Sequence, residues 1–107
     1  MIIPGEGDHT LVVEVLNATD VDGLAREVAR KLRTKGIDVV YFGSGEGRTL
    51  DSTRIVVRRG DSAAARPIRE ALGRGRISVD LDPRLLLDAS IIVGRDLRPV
   101  LLENRRP

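Results

Sequence analysis

The 107 residues (11.7 kDa) suit a single domain, and a chain of this length can bury a core without a disulfide or metal staple. An apolar share of 41% beside a charged share of 32% is a soluble globular balance and excludes wholesale disorder. No stretch nears the roughly 18 apolar residues of a membrane span, and the absence of Cys excludes disulfides, thiol catalysis and thiolate metal sites.

Net charge is +2 with a sequence pI of about 9.7, and among the cations only Lys31 and Lys35 are lysines. Arginine offers a planar fork suited to carboxylate and phosphate. Here the basic residues are spread along the chain and interleaved with Asp and Glu, so arginines paired with nearby acids are expected rather than one cationic face. Tyr41 and Phe42 are the two aromatic residues, too few for a platform on which single-stranded bases stack.

In chain order, Met1 to His9 reads as a loose lead-in without the charged leader and apolar core of a signal peptide. That predicts either a cytosolic protein or a soluble piece of a longer chain. Thr10 to Leu16 (TLVVEVL) has the β-branched character of a strand. Asn17-Ala18-Thr19-Asp20 breaks it, with Thr19 and Asp22 placed as a capping box and Asp20 as the other N-cap candidate. Leu24, Ala25, Val28, Ala29 and Leu32 then recur at helical spacing. Asp22 to Arg26 and Glu27 to Lys31 form favourable i,i+4 pairs. Arg30, Lys31, Arg33 and Lys35 sit in the last turns, where cations suit the helix dipole, and Gly36 closes the helix.

Ile37 to Phe42 is a second strand, Gly43 to Asp51 a glycine-rich hairpin loop, and Thr53 to Arg59 a third strand. A second helix spans about residues 63–72, where Pro67 predicts a kinked first turn or a later start. Ile77 to Asp82 alternates cleanly as a fourth strand. Ala89 to Val93 is a fifth, and Val100 to Leu102 a short edge strand before the basic tail Arg105-Arg106. The order β-α-β-β-α-β-β predicts an α+β two-layer sandwich of the split βαβ kind, with two helices on one face of a four- or five-stranded mixed sheet. The open face then carries Glu14, Arg54 and Arg58, with Glu14 beside the arginines if strands one and three are neighbours.

Little in the chain points to chemistry. Gly43-Ser44-Gly45-Glu46-Gly47-Arg48 is followed by a strand rather than the helix a phosphate loop requires. Arg59-Gly60-Asp61 reads as a turn and helix start rather than an adhesion tripeptide. Asp80, Asp82 and Asp88 could share a face and hold a hard cation, but they read as a solvated strand face. His9 is the sole imidazole, so His-based acid–base chemistry and a serine triad have no material. At the Asn17–Gly23 turn, Asn17 is expected to bond neighbouring backbone. A glycine early in a helix costs about 1 kcal/mol, so Gly23 predicts that a strand or loop passes close, with an anionic sugar or phosphate as the alternative occupant.

The segments Val13-Glu14-Val15-Leu16-Asn17-Ala18-Thr19, Gly23-Leu24-Ala25, Leu32 with Gly36-Ile37-Asp38-Val39, Thr53-Arg54-Ile55, Ala71-Leu72-Gly73 and Ala89-Ser90-Ile91-Ile92-Val93-Gly94-Arg95-Asp96 stand in an order that is informative as a set. That ordered set, over residues 10–96, resembles the LytR C-terminal domain family, the module often attached to LytR-CpsA-Psr cell-envelope proteins. The resemblance implies an extracytoplasmic module, tethered by a membrane helix or fused to a phosphotransferase domain, with no catalytic residues of its own. The chain departs from the family's pattern in having no anchor before Thr10, in its glycine-rich loop, and in the tail after Asp96.

The expectations are therefore a flexible lead-in (1–9), a LytR C-terminal-like domain (10–96), and a short edge segment with a basic tail (97–107). The function expected is that of a non-catalytic interaction module binding a cell-wall polymer or envelope protein, with no nucleic-acid partner and no membrane insertion by this segment. Asn17, Thr19, Gly23, Arg54 and Arg58 are its candidate ligand-binding residues; no cofactor or metal is expected. The alternatives are a cytosolic ferredoxin-like regulatory domain binding a small anion and an RNA-binding domain using the strand-three arginines. An exposed edge strand would also suit a homodimer.

Overall fold

The computed structural model describes residues 10–45 and 47–105, with side chains of helix and strand residues described to Glu103; the lead-in, including His9, lies outside them. The elements run β1 (Val12–Asn17), α1 (Leu24–Thr34), β2 (Asp38–Ser44), β3 (Arg54–Val57), α2 (Arg66–Leu72), β4 (Arg76–Val79), β5 (Ala89–Val93) and α3 (Val100–Arg105). The α+β class, the mixed five-stranded sheet and the order of the first seven elements follow the sequence expectation.

Alternation along the strands decides which face is covered. Val13, Val15, Ile55, Val57, Ala89, Ile91 and Val93 are buried in one core with Leu24, Ala25, Val28, Ala29 and Leu32 of α1 and Ile68 and Leu72 of α2. Glu14, Arg54 and Arg58 lie on the opposite face, as their parity requires. Pro67 falls in the first turn of α2, preceded by a 3₁₀ turn over Ser62–Ala65, so the helix starts later than the apolar pattern suggests and its ring displaces no helical hydrogen bond.

The connectivity differs from the split arrangement. The sheet order is β2-β1-β5-β3-β4. β1 pairs directly with β2 and β3 directly with β4, both in parallel, so each βαβ unit is unsplit. β5 lies between the units, parallel to β1 and antiparallel to β3. A ferredoxin-like order would place the interrupting strand inside each unit, which removes the fold on which the small-anion alternative was based. Glu14 and Arg58 are consequently not neighbours. They meet through Ser90 of β5, whose hydroxyl donates to Glu14 Oε2 and accepts from Arg58 Nε at 3.0 Å.

Three local expectations are also corrected. Val100–Leu102 is helical, not an edge strand: Val100 is buried in the core, and Glu103 of the same helix accepts from Lys31 Nζ at 2.9–3.0 Å. Lys31 thus serves the α1–α3 contact. β4 ends at Val79, short of the expected Asp82, and lies at the sheet's edge, where Val79 and Leu81 stay about half exposed. Finally, β2 and β3 are separated by two strands, so Gly45 and residues 47–53 form no hairpin. They strap the carboxyl ends of β1 and β5 through Gly45 N–Asn17 O (2.9 Å), Leu50 N–Ala18 O (2.7 Å) and Arg95 N–Leu50 O (2.9 Å).

Candidate functional site

The crevice beyond the carboxyl ends of parallel strands is where open α/β sheets commonly bind ligands. Here it is occupied by the strap and fastened from inside. Thr53, fully buried, donates its Oγ1 proton to Asp96 Oδ1 (2.6 Å) and its amide to both Asp96 oxygens (3.1 Å), and accepts from Gly94 N at 2.9 Å. Arg95 adds ion pairs to Asp51 (3.4 Å) and Asp20 (3.7 Å).

Asn17 and Thr19 lie at the same end, and their polar atoms are spent on the turn. Asn17 Oδ1 accepts from Thr19 N (3.0 Å) and Thr19 Oγ1 (2.6 Å), Asn17 Nδ2 donates to Val21 O (2.9 Å), and Thr19 Oγ1 accepts from Val21 N (3.0 Å). Neither the expected capping box nor an Asp20 cap forms. Gly23 is the N-cap residue at φ 80°, and no side chain bonds there. A Cβ on Gly23 would meet nothing within 4 Å, so no strand or loop passes close. The glycine answers instead to a left-handed backbone, which an L side chain adopts at a cost of about 1–2 kcal/mol. Gly23→Leu should therefore lower the melting temperature by roughly 4–16 °C at about 4–8 °C per kcal/mol, with Gly23→Asn recovering much of the loss. A melt unchanged by Gly23→Leu would contradict the backbone account.

The five candidate ligand-binding residues do not form one site. Asn17 and Gly23 line a small groove with Ala25, Arg26, Phe42, Gly43 and Ser44, and Thr19 is their hydrogen-bonded neighbour. Arg54 and Arg58 are on the open face of β3. Arg58 is committed, since it also donates to the Asp80 carbonyl (3.1 Å) and carboxylate (3.2 Å). Arg54 stands in register with Arg76 of β4, and neither side chain has a hydrogen bond or ion pair among the described residues. Like charges directly across a strand pair are unfavourable.

The carboxylates are likewise held one by one. Asp88, 5% exposed, accepts from Val12 N (2.7 Å) and from Arg59 Nε (2.9 Å). Its hydrogen bond and charge hold the Arg59 guanidinium above its ordinary pKa. Asp82 caps the 3₁₀ turn Pro83–Leu85, and its hydrogen bond from Arg84 lowers its pKa. Among the described residues, no three His, Cys, Asp or Glu are grouped to hold a metal ion.

A larger groove, about 690 Å³, runs between α1 and the edge strand β2 and is lined by Arg26, Arg30, Arg33, Thr34 and Phe42. It meets the small groove at Arg26 and Phe42. A one-residue register shift in β2 puts Tyr41 opposite Glu14 and Phe42 opposite Val15. Phe42 therefore faces the helix side, where without the shift Tyr41 would stand. Arg33 is anchored beside it, with its guanidinium 5.8 Å from the ring centroid and Nη2 donating to Val39 O at 2.8 Å. The signal for this groove was present in the sequence: Arg26, Arg30 and Arg33 are spaced i, i+4, i+7, one stripe of a helix. Pairing Arg26 with Asp22 and setting Arg30 and Arg33 against the helix dipole accounts for each cation singly and passes over the stripe.

The profile of the LytR_C family, described as LytR cell envelope-related transcriptional attenuator, matches residues 10–97. The chain belongs to that family. No curated protein and no solved structure gives a significant match. Membership makes this an accessory module of the cell-envelope-related class, and no helix among the described residues is long and apolar enough to cross a membrane. The segments that carried the family resemblance are the ones the fold ties together: Ala18 N bonds Val93 O (3.0 Å), and Thr53 bonds both Gly94 and Asp96.

Proposed function

We propose that the chain is a non-catalytic, extracytoplasmic module of a membrane-tethered envelope protein, and that it engages a wall polymer or envelope protein through its surface. The observation that carries this reading is how the ionisable groups divide. Glu14, Asp80, Asp82, Asp88 and Asp96 are each held by a named donor, so none of these five stands free for acid–base work. Arg26, Arg54 and Arg76 lie exposed and without side-chain partners among the described residues. Such a surface can hold an anionic or polar partner.

The test is cosedimentation of the purified chain with delipidated envelope fragments, beside a thermal melt titrated with inorganic phosphate and citrate. Saturable cosedimentation with an unchanged melt is the expected result. No cosedimentation, together with a saturable rise in melting temperature with either anion, would replace this reading with that of a small-anion sensor.

A further inference from the structure

We infer that the groove between α1 and β2 is a binding track for a linear polyanion, whose repeating phosphate or carboxylate groups are met in turn by Arg26, Arg30 and Arg33. This rests on the envelope reading above and names the ligand class and its seat. In a chain whose acids nearly balance its bases, this groove is lined by three arginines and no carboxylate. The small groove that continues it past Arg26 and Phe42 also has no acidic lining. The fold thus gathers on one flank of α1 the charge that is interleaved in the sequence, while Lys31 on another flank is turned to Glu103 of α3.

From Arg26 to Arg33 the helix advances seven steps, about 10 Å, which suits an extended chain better than a single small anion. Their states are graded. Arg33 is fixed by Val39 O and Phe42, Arg30 lies 3.8 Å from Glu27, and Arg26 has no side-chain partner among the described residues. A wall already anchored loses little freedom on binding. The forked guanidinium matches phosphate and carboxylate alike. A nucleic acid is disfavoured because the groove has one ring, and Arg33 is drawn to it.

The probes are linear polyphosphate, polygalacturonate and a single-stranded RNA, measured by fluorescence anisotropy over a range of salt. Binding of at least one of the first two, falling with salt, should weaken at least tenfold in Arg26→Glu/Arg30→Glu. The control Arg66→Glu/Arg98→Glu, at exposed arginines that line neither groove, should stay within about twofold. Both double variants alter exposed side chains, and their melts verify folding. On the wild-type chain, amide shifts on titration should concentrate at residues 26–34 and 42–44. Which of the two polymers binds tells phosphate from carboxylate chemistry. Equal loss in both variants, shifts spread over the molecule, or tighter binding of the RNA would overturn the inference. Cosedimentation with envelope fragments that is untouched by Arg26→Glu/Arg30→Glu would sink the groove and leave the envelope reading standing. A wild-type chain that binds neither polymer and does not cosediment would sink the two together.

Discussion

Gly94→Ala is expected to lower the melting temperature by roughly 12–24 °C, the equivalent of about 3 kcal/mol at about 4–8 °C per kcal/mol. The backbone at Gly94 is extended (φ −103°, ψ 174°), so an alanine fits the local conformation. The obstacle is space. An added Cβ would stand 2.6 Å from the carbonyl carbon of Ser52, 2.8 Å from Thr53 N and 2.9 Å from Ser52 N. These are backbone atoms and cannot swing aside as a side chain would. Relief requires the strap to lift from β5, which stretches the Thr53–Asp96 bonds and the Gly94 N–Thr53 Oγ1 bond at once. Leaving buried donors unmet adds to the steric cost. Differential scanning calorimetry checks the size. Faster amide exchange at Thr53, Arg95 and Asp96 checks the route. A shift below about 4 °C, which is under 1 kcal/mol, would mean that the strap is not held at this distance.

Asp88→Ala is the second large effect, an expected loss of about 2–3 kcal/mol, or roughly 8–24 °C. The carboxylate is nearly inaccessible, and it satisfies Val12 N at the start of β1 while taking the fork of Arg59. Removing it strands a backbone donor and releases a guanidinium. Because the Arg59 side chain is 46% exposed, it can hydrate, which keeps the loss below the about 3–5 kcal/mol typical of a fully buried broken pair. Asp88→Asn retains an acceptor for Val12 N and should lose less than half as much. Equal losses in the two variants would place the whole effect in the ion pair and none in the backbone contact. Chemical denaturation of wild type, Asp88→Asn and Asp88→Ala separates these outcomes.

The parts of the fold governed by local pattern were legible in the sequence. The α1 stripe, the parity of β1 and β3, and the late start that Pro67 imposes on α2 follow from period and proline chemistry alone. What was not legible depends on contacts far apart in the chain. Ala89–Val93 gives no sign that it will separate two βαβ units, because its partners Val13–Asn17 lie over seventy residues away. Val100–Leu102 is too short for periodicity to tell strand from helix, and the Lys31–Glu103 contact that fits the helix is invisible locally. Gly23 was singled out correctly, but a glycine alone does not tell a close neighbour from a left-handed turn. Of the candidate site residues, Asn17 and Gly23 line the groove system, whereas Arg26 and Phe42 at its junction drew only a pairing with Asp22 and a place in the second strand.

Because β5 joins the two units, the sheet behaves as an arch closed by its last-made stone. With only residues up to Asp80 free to pair, both parallel pairs can form but nothing aligns one against the other. The halves sit in opposite senses, and each keeps an open inner edge until residues 89–93 emerge and fill both together. Completion of the sheet is therefore a late, concerted event rather than a growing one, with the slow rate that distant pairings impose.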